Sequence, residues 1–163
     1  MAVLVDGNNL LYAAYDADPE RPPGRERLCA LLGQWSKRSG ERVAVVFDGV
    51  EPAPELAEQL RAGGVETLFS GHGVKADAVV IELIADDSAP KRLIVVSTDR
   101  EIARAARRRR ATPMRSDEFW TMMTADLARP PHIPLEPLEK RRGLSPGQTA
   151  EWMKELGLEE GEG

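Results

Sequence analysis

Four aspartates stand where they could act together. Asp6 follows the apolar run Ala2-Val3-Leu4-Val5, Asp48 follows Val43-Ala44-Val45-Val46-Phe47, and Asp99 follows Leu93-Ile94-Val95-Val96 after Ser97 and Thr98. Each run has the texture of a strand buried on both faces of a sheet. Asp77 begins a helical stretch. In a parallel sheet the carboxyl ends of all strands lie along one edge, the edge where open α/β sheets hold ligands. Acids far apart in sequence can therefore converge. Two carboxylates about 5 Å apart repel by roughly 3 kcal/mol at an effective dielectric near 20. Such a cluster needs a cation, a proton or a basic side chain. Hard divalent ions such as Mg²⁺ or Mn²⁺ take oxygen ligands and keep several waters. Beside a phosphodiester, such an ion can activate water and stabilise the leaving oxygen. The chemistry indicated is metal-dependent cleavage of a nucleic acid.

Each acid also has a plainer use. Thr98-x-x-Glu101 reads as a capping box, so Asp99 can simply favour a helix amino terminus, and Asp77 can do the same. Asp6-Gly7-Asn8-Asn9 and Asp48-Gly49 are built of turn formers. Gly7 can take backbone angles closed to other residues and admits a close neighbour. Four acids on one predicted ligand edge together favour metal binding over four separate local roles.

The elements that must position these acids alternate along the chain. After the first strand, residues 10–24 read as a loop, with Asp16, Asp18, Pro19, Pro22, Pro23 and Gly24. A helix is expected from Arg25 to Arg38, with Leu28, Leu31, Leu32 and Trp35 on one face, and Gly40 ends it. Beyond the second strand come a short helix started by Pro52 and Pro54 and a strand over 65–69, nearer the sheet edge. A helix from Asp77 to about Asp87 buries Val79, Val80, Leu83 and Ile84. The fourth strand leads into a helix from Asp99 to Ala111. A short strand at 112–114 and a helix opened by Ser116-Asp117-Glu118 follow. The fold class expected is α/β, a mostly parallel sheet of about five strands with helices on both faces.

Composition sets the outer limits. The 163 residues, 42% of them hydrophobic, suffice for one core. No segment approaches the length needed to span a membrane. Met1 leads straight into the first strand without a basic region, so a cytoplasmic protein is expected. Cys29 is the single cysteine, and His72 and His132 are the two histidines, which excludes an internal disulfide and disfavours a Cys/His zinc site. The net charge of −5 means that a polyanion must be held by a local patch. After Leu127, Pro130, Pro131, Pro134 and Pro137 mark an extended arm. Ser145-Pro146-Gly147-Gln148 then opens a short helix carrying Trp152, Met153 and Leu156, expected to dock on the domain or a partner before a disordered end.

Val5-Asp6-Gly7-Asn8-Asn9-Leu10, Val46-Phe47-Asp48-Gly49, Lys75-Ala76-Asp77 and Val96-Ser97-Thr98-Asp99 occur in an order that resembles NYN domains of the PIN-like nuclease superfamily, most of all the YacP-like branch. The resemblance covers about residues 2–127, and loosely Arg141-Arg142-Gly143. It implies a three-layer PIN-like fold over 1–127, with 128–163 as a carboxyl-terminal extension. It also implies an Mg²⁺- or Mn²⁺-dependent endoribonuclease, with mRNA on the ribosome among the expected substrates. By position, Asp6, Asp77 and Asp99 resemble the metal-binding acids and Asp48 an auxiliary acid. Asn8 resembles the polar residue that orients the first acid or contacts a phosphate. Ser97 and Thr98 resemble residues that position Asp99 or a water.

Substrate contacts are expected from several side chains. Lys75 can meet the scissile phosphate, although a lysine before a helix is commonly just solvated. His72 lies near it without an assigned role. Tyr12 and Tyr15 follow the first motif closely enough to stack bases, with core packing the other use for Tyr12. Arg104, Arg107, Arg108, Arg109, Arg110 and Arg115 form a basic run, expected to lie away from the acids at the far end of its helix, where it can hold a long RNA or a ribosome surface but not the scissile bond. Their plainer use is with the helix carboxyl terminus. Two other classes compete with the enzyme. One is a catalytically silent RNA- or ribosome-binding module of the same fold. The other is a phosphoacceptor domain, disfavoured because Gly7 and Asn8, not acids, follow Asp6. A monomer or weak homodimer is expected.

Overall fold

The computed structural model describes residues 2–131. The chain order is β1 (Ala2–Asp6), α1 (Gly7–Ala17), α2 (Arg25–Ser39), β2 (Arg42–Phe47), α3 (Pro54–Arg61), β3 (Glu66–Phe69), α4 (Ala76–Asp86), β4 (Leu93–Val96), α5 (Arg100–Arg108), β5 (Thr112–Met114) and α6 (Ser116–Ala128). The five strands form one sheet in the order β3-β2-β1-β4-β5. Every neighbouring pair is parallel. The chain builds outward from β1 through β2 to β3, then crosses to β4 and β5. The order therefore reverses between β1 and β4, and their carboxyl ends border the crevice where such sheets bind ligands.

Strand alternation divides the core. Val3, Val5, Val43, Val45 and Phe47 face α1, α2, α3 and α6 through Leu10, Leu28, Leu32, Leu60, Phe119 and Met123. Leu4, Val46 and Val95 face α4 and α5 through Val80, Ile84, Ile102 and Ala106. Side chains two apart in a strand share a face. Asp6 follows Leu4 by two, Asp48 follows Val46 by two, and Ser97 follows Val95 by two. The alternation thus directs all three toward the α4/α5 layer.

The main departure from expectation is α1. Residues 10–17 belong to this helix and not to a loop. Leu10 and Ala14 are fully buried one turn apart, and Asp6 caps the amino terminus. The polar and proline residues from Asp16 to Gly24 end the helix and do not replace it. Gly7 serves a purpose other than unusual backbone angles. A Cβ there would lie 2.5 Å from Phe47 Cε1 and 2.9 Å from Val45 Cγ2. Left-handed backbone occurs instead at Gly49, with φ 94°. Cys29 is buried, and that burial pushes its thiol up to about 11, as befits packing and not reactivity. No helix among the described residues is long and apolar enough to cross a membrane. The helix expected after Ser145 lies outside the described residues.

Phe47 is fully buried, so its ring has no room to swing from a methyl at position 7. Gly7→Ala should destabilise the fold by about 2 kcal/mol, the usual scale of overpacking. Urea unfolding would register this as a lower midpoint at unchanged slope. An unchanged midpoint would show that the contact is not tight.

Candidate active site

The carboxyl edge of the sheet opens into a depression of about 600 Å³ whose lining includes Asp6, Asp48, Asp77, Asp99, Lys75 and Tyr12. Asn8 and Asn9 also line it. The structure thus brings together the four acids that the sequence scatters over more than ninety positions.

Asp6 is the deepest of the four, only 7% exposed. Its Oδ1 accepts the Asn9 backbone N–H at 3.4 Å, which caps α1. Its Oδ2 accepts the Ser97 hydroxyl at 3.1 Å. Burial raises its pKa above the ordinary carboxylate value. The Asn9 amide and the Ser97 hydroxyl oppose that rise, while the charges of Asp48 and Asp77 add to it. Ser97 also links the acids, since its Oγ accepts the Asp99 backbone N–H at 3.1 Å.

Asp99 is itself the amino cap of α5. Its Oδ1 accepts from Glu101 N at 2.7 Å and Ile102 N at 3.3 Å. Asp99 and not Thr98 is therefore the cap, and the expected box does not form. Thr98 points elsewhere: its backbone N–H and its hydroxyl both donate to Asn9 Oδ1 at 2.9 Å. The buried Ser116 hydroxyl donates to the same oxygen at 2.5 Å. Asn9 thereby ties α1 to the ends of β4 and β5.

Asn8 pairs with Asp48. Its Nδ2 donates to Asp48 Oδ2 at 2.9 Å, and its Oδ1 accepts the Asp48 N–H at 3.3 Å. Asn8 thus orients Asp48, where orientation of the first acid or a phosphate contact was the expectation. The other oxygen of Asp48 accepts Ala76 N at 2.5 Å, the first amide of α4. With both oxygens engaged, Asp48 braces the start of α4 and so places Asp77. Asp77 Oδ1 accepts the Ala78 N–H at 3.0 Å. Lys75 is exposed at the rim, and exposed His72 lies outside the lining.

Tyr12 is 73% exposed, which removes core packing as its role. The arginine run also behaves differently from expectation. Arg109 caps α4, donating to Ile84 O and Asp87 O at 3.4 and 2.9 Å. Arg108 and Arg110 line a separate depression with Lys91 and Arg92. Arg104, Arg107 and Arg115, however, border a groove that begins at Ser97 and Thr98, beside the acids. Arg100 joins them. Sequence reasoning passed over Arg100, Asn9 and Ser116. Positions 100, 104 and 107 have the spacing of one helical face, which was the available signal.

Among the described residues, no three His, Cys, Asp or Glu side chains form a group that could enclose an ion by themselves. The donor chemistry still fits a hard divalent cation that keeps much of its water. All donors are carboxylate oxygens, and no described hydrogen bond takes Asp77 Oδ2 or Asp99 Oδ2. Asp6 is moreover held among like charges that a cation would offset. Asp6, Asp77 and Asp99 line the depression as the carboxylates available to such a cation.

The family model of the YacP-like NYN domain matches residues 3–132. The chain belongs to the YacP-like NYN domain family. The crystal structure of Rae1 (YacP) from Bacillus subtilis superposes with a TM-score of 0.62 at 19% identity, covering 98% of this chain and 89% of that one. A mutant of the same Bacillus subtilis protein gives 0.60 at 22% identity, over 78% of this chain and 76% of that one. At such identities the likeness concerns the fold, which is PIN-like. No curated protein sequence matches the chain.

In this YacP-like NYN domain the buried Asp6 charge opposes folding. A raised folded-state pKa means that the native state holds the proton more tightly than the unfolded chain. Stability from this group is present at low pH and lost as pH rises through the raised value. Asp6→Asn should therefore be more stable than the parent at neutral pH. Its advantage should vanish as pH falls into the ordinary carboxylate range. Urea midpoints of both proteins across pH would check this. A variant less stable at pH 7 would mean that Asp6 is held by attractions stronger than its burial.

Proposed function

We propose that this YacP-like NYN protein is a divalent-metal-dependent endoribonuclease. The observation that carries the reading is the convergence of Asp6, Asp77 and Asp99 in one open depression at the switch point of the sheet. When bound, Mg²⁺ or Mn²⁺ supplies an activated water and charge stabilisation at the scissile phosphate. The chain supplies the rest. Asp6 stands at the base of the site, oriented by Ser97 and the Asn9 amide. Asp77 and Asp99 present their Oδ2 atoms from the starts of α4 and α5. Asp48 and Asn8 act through others, as positioning residues for α4. Lys75, exposed on the same rim, is the cation suited to a phosphate oxygen. RNA is the substrate class, free or presented as mRNA on the ribosome.

A specific observation supports a second reading, a silent RNA- or ribosome-binding module. Asp48 uses one oxygen for the Asn8 side-chain amide and the other for the Ala76 backbone amide, and Asp99 uses one for the backbone amides of its own helix. The acids could then be structural throughout.

Incubation of mixed RNA with Mg²⁺, Mn²⁺ or EDTA separates the two. The nuclease reading expects metal-dependent cleavage that falls by about a hundred-fold or more in Asp6→Asn and Asp77→Asn, the scale of losing a preorganised charge stabiliser. Equal cleavage by parent and variants would place the activity elsewhere. Absence of cleavage from free RNA and from ribosome-bound mRNA alike would leave the binding module.

A further inference from the structure

Two surface features flank the acidic depression, and neither is needed to hold an ion. The first is an aromatic shelf. The chain has two tyrosines, and both stand exposed on α1, Tyr12 at 73% and Tyr15 at 51%. They are one helical turn apart on the side opposite buried Leu10 and Ala14. With Pro22 and Pro23 they border a hollow of about 410 Å³. Tyr12 and Asn8 line both this hollow and the acidic depression, so the two adjoin.

The second feature is the arginine groove, of about 540 Å³. It starts at Ser97 and Thr98, immediately before Asp99, and runs along Arg100, Arg104 and Arg107 of α5. All three are exposed, and no described residue forms an ion pair with them. Arg115 adds a fourth guanidinium, shared with Asp117 at 3.1 Å, and Glu118 is the one acid of the lining. In a protein of net charge −5, so local a run of unpaired cations suits a polyanion backbone.

We propose that shelf, acids and groove form one track for single-stranded RNA. Unpaired bases stack on Tyr12 and Tyr15, and the phosphates beyond the acidic depression lie along Arg100, Arg104 and Arg107. The position of the scissile phosphate between them rests on the nuclease reading above. Single strands are specified because stacking on tyrosine needs an open base face, which a duplex conceals. The arginines are indifferent to sequence, so the track selects strandedness and not base identity.

The test is binding, independent of cleavage. Asp6→Asn protein with Mg²⁺ is titrated by fluorescence anisotropy with a labelled single-stranded RNA of about twelve nucleotides, within the site sizes of such grooves. The matching duplex is the comparison, over a series of salt concentrations. Tyr12→Ala/Tyr15→Ala should weaken single-strand binding by about ten-fold or more without changing the salt slope. Arg104→Gln/Arg107→Gln should weaken it and reduce the slope by about 1.4, two contacts at roughly 0.7 each. These side chains are exposed, and circular dichroism would verify that both variants fold. The track is overturned if the duplex binds as tightly as the single strand. It is also overturned if either double variant binds like its background, or if the background does not bind single-stranded RNA. If binding follows the expected pattern while the parent cleaves nothing with any metal, the nuclease reading fails and the track stands.

Discussion

A carboxylate kept almost dry at the centre of a parallel sheet is the constraint around which this fold is arranged. Asp6 ends the middle strand, where burial works against its charge. Two hydrogen bonds and the amino end of α1 offset part of that cost. Two neighbouring acids increase it. The surrounding hydrophobic layers must stabilise a site that does not stabilise itself, as is common where function requires a perturbed group.

The supporting contacts divide the labour in a way that residue types alone conceal. Asn8 and Asn9 are adjacent and chemically identical, yet they serve opposite sides of the sheet. Asn8 holds Asp48 on β2 and through it the start of α4. Asn9 holds Thr98 and Ser116 beyond β4 and β5. The first turn of α1 therefore spans the crevice from both directions. Ser97 closes the remaining gap by contacting Asp6 and the Asp99 backbone together. The carboxylates of Asp6 and Asp48 are fixed by neighbours on other elements, so the base of the site depends on the sheet being complete.

Much of this was legible in the sequence, for physical reasons. Apolar runs ending in acids identify buried parallel strands and their ligand edge at once. The alternation that carries Leu4 into Asp6 and Val46 into Asp48 even specifies the layer they face. Helix α1 was hidden because Asp16 through Gly24 carry strong punctuation, whereas its own evidence was one buried pair, Leu10 and Ala14. The hydrogen-bond roles of Asn8 and Asn9 could not be read, because an amide between strand and helix has several partners within reach. The arginine run misled for a related reason. Adjacent arginines on a helix radiate in different directions, so Arg109 reaches the carbonyls of α4 while Arg104 and Arg107 border the groove beside the acids. Exposure of Tyr12 likewise follows from the pitch of α1, whose helical pattern the sequence conceals.

The long reach of these contacts has a consequence in time. The bond from Ser97 to Asp6 spans 91 positions, and that from Ser116 to Asn9 spans 107. The central strand is made first but waits for β4, which is made much later. A chain emerging from the ribosome therefore carries its first acid long before the partners that orient it. Until Ser116 has cleared the exit tunnel, the full network cannot close. The acidic depression is thus among the last features of the described chain to be completed, although the acid at its base belongs to the earliest strand.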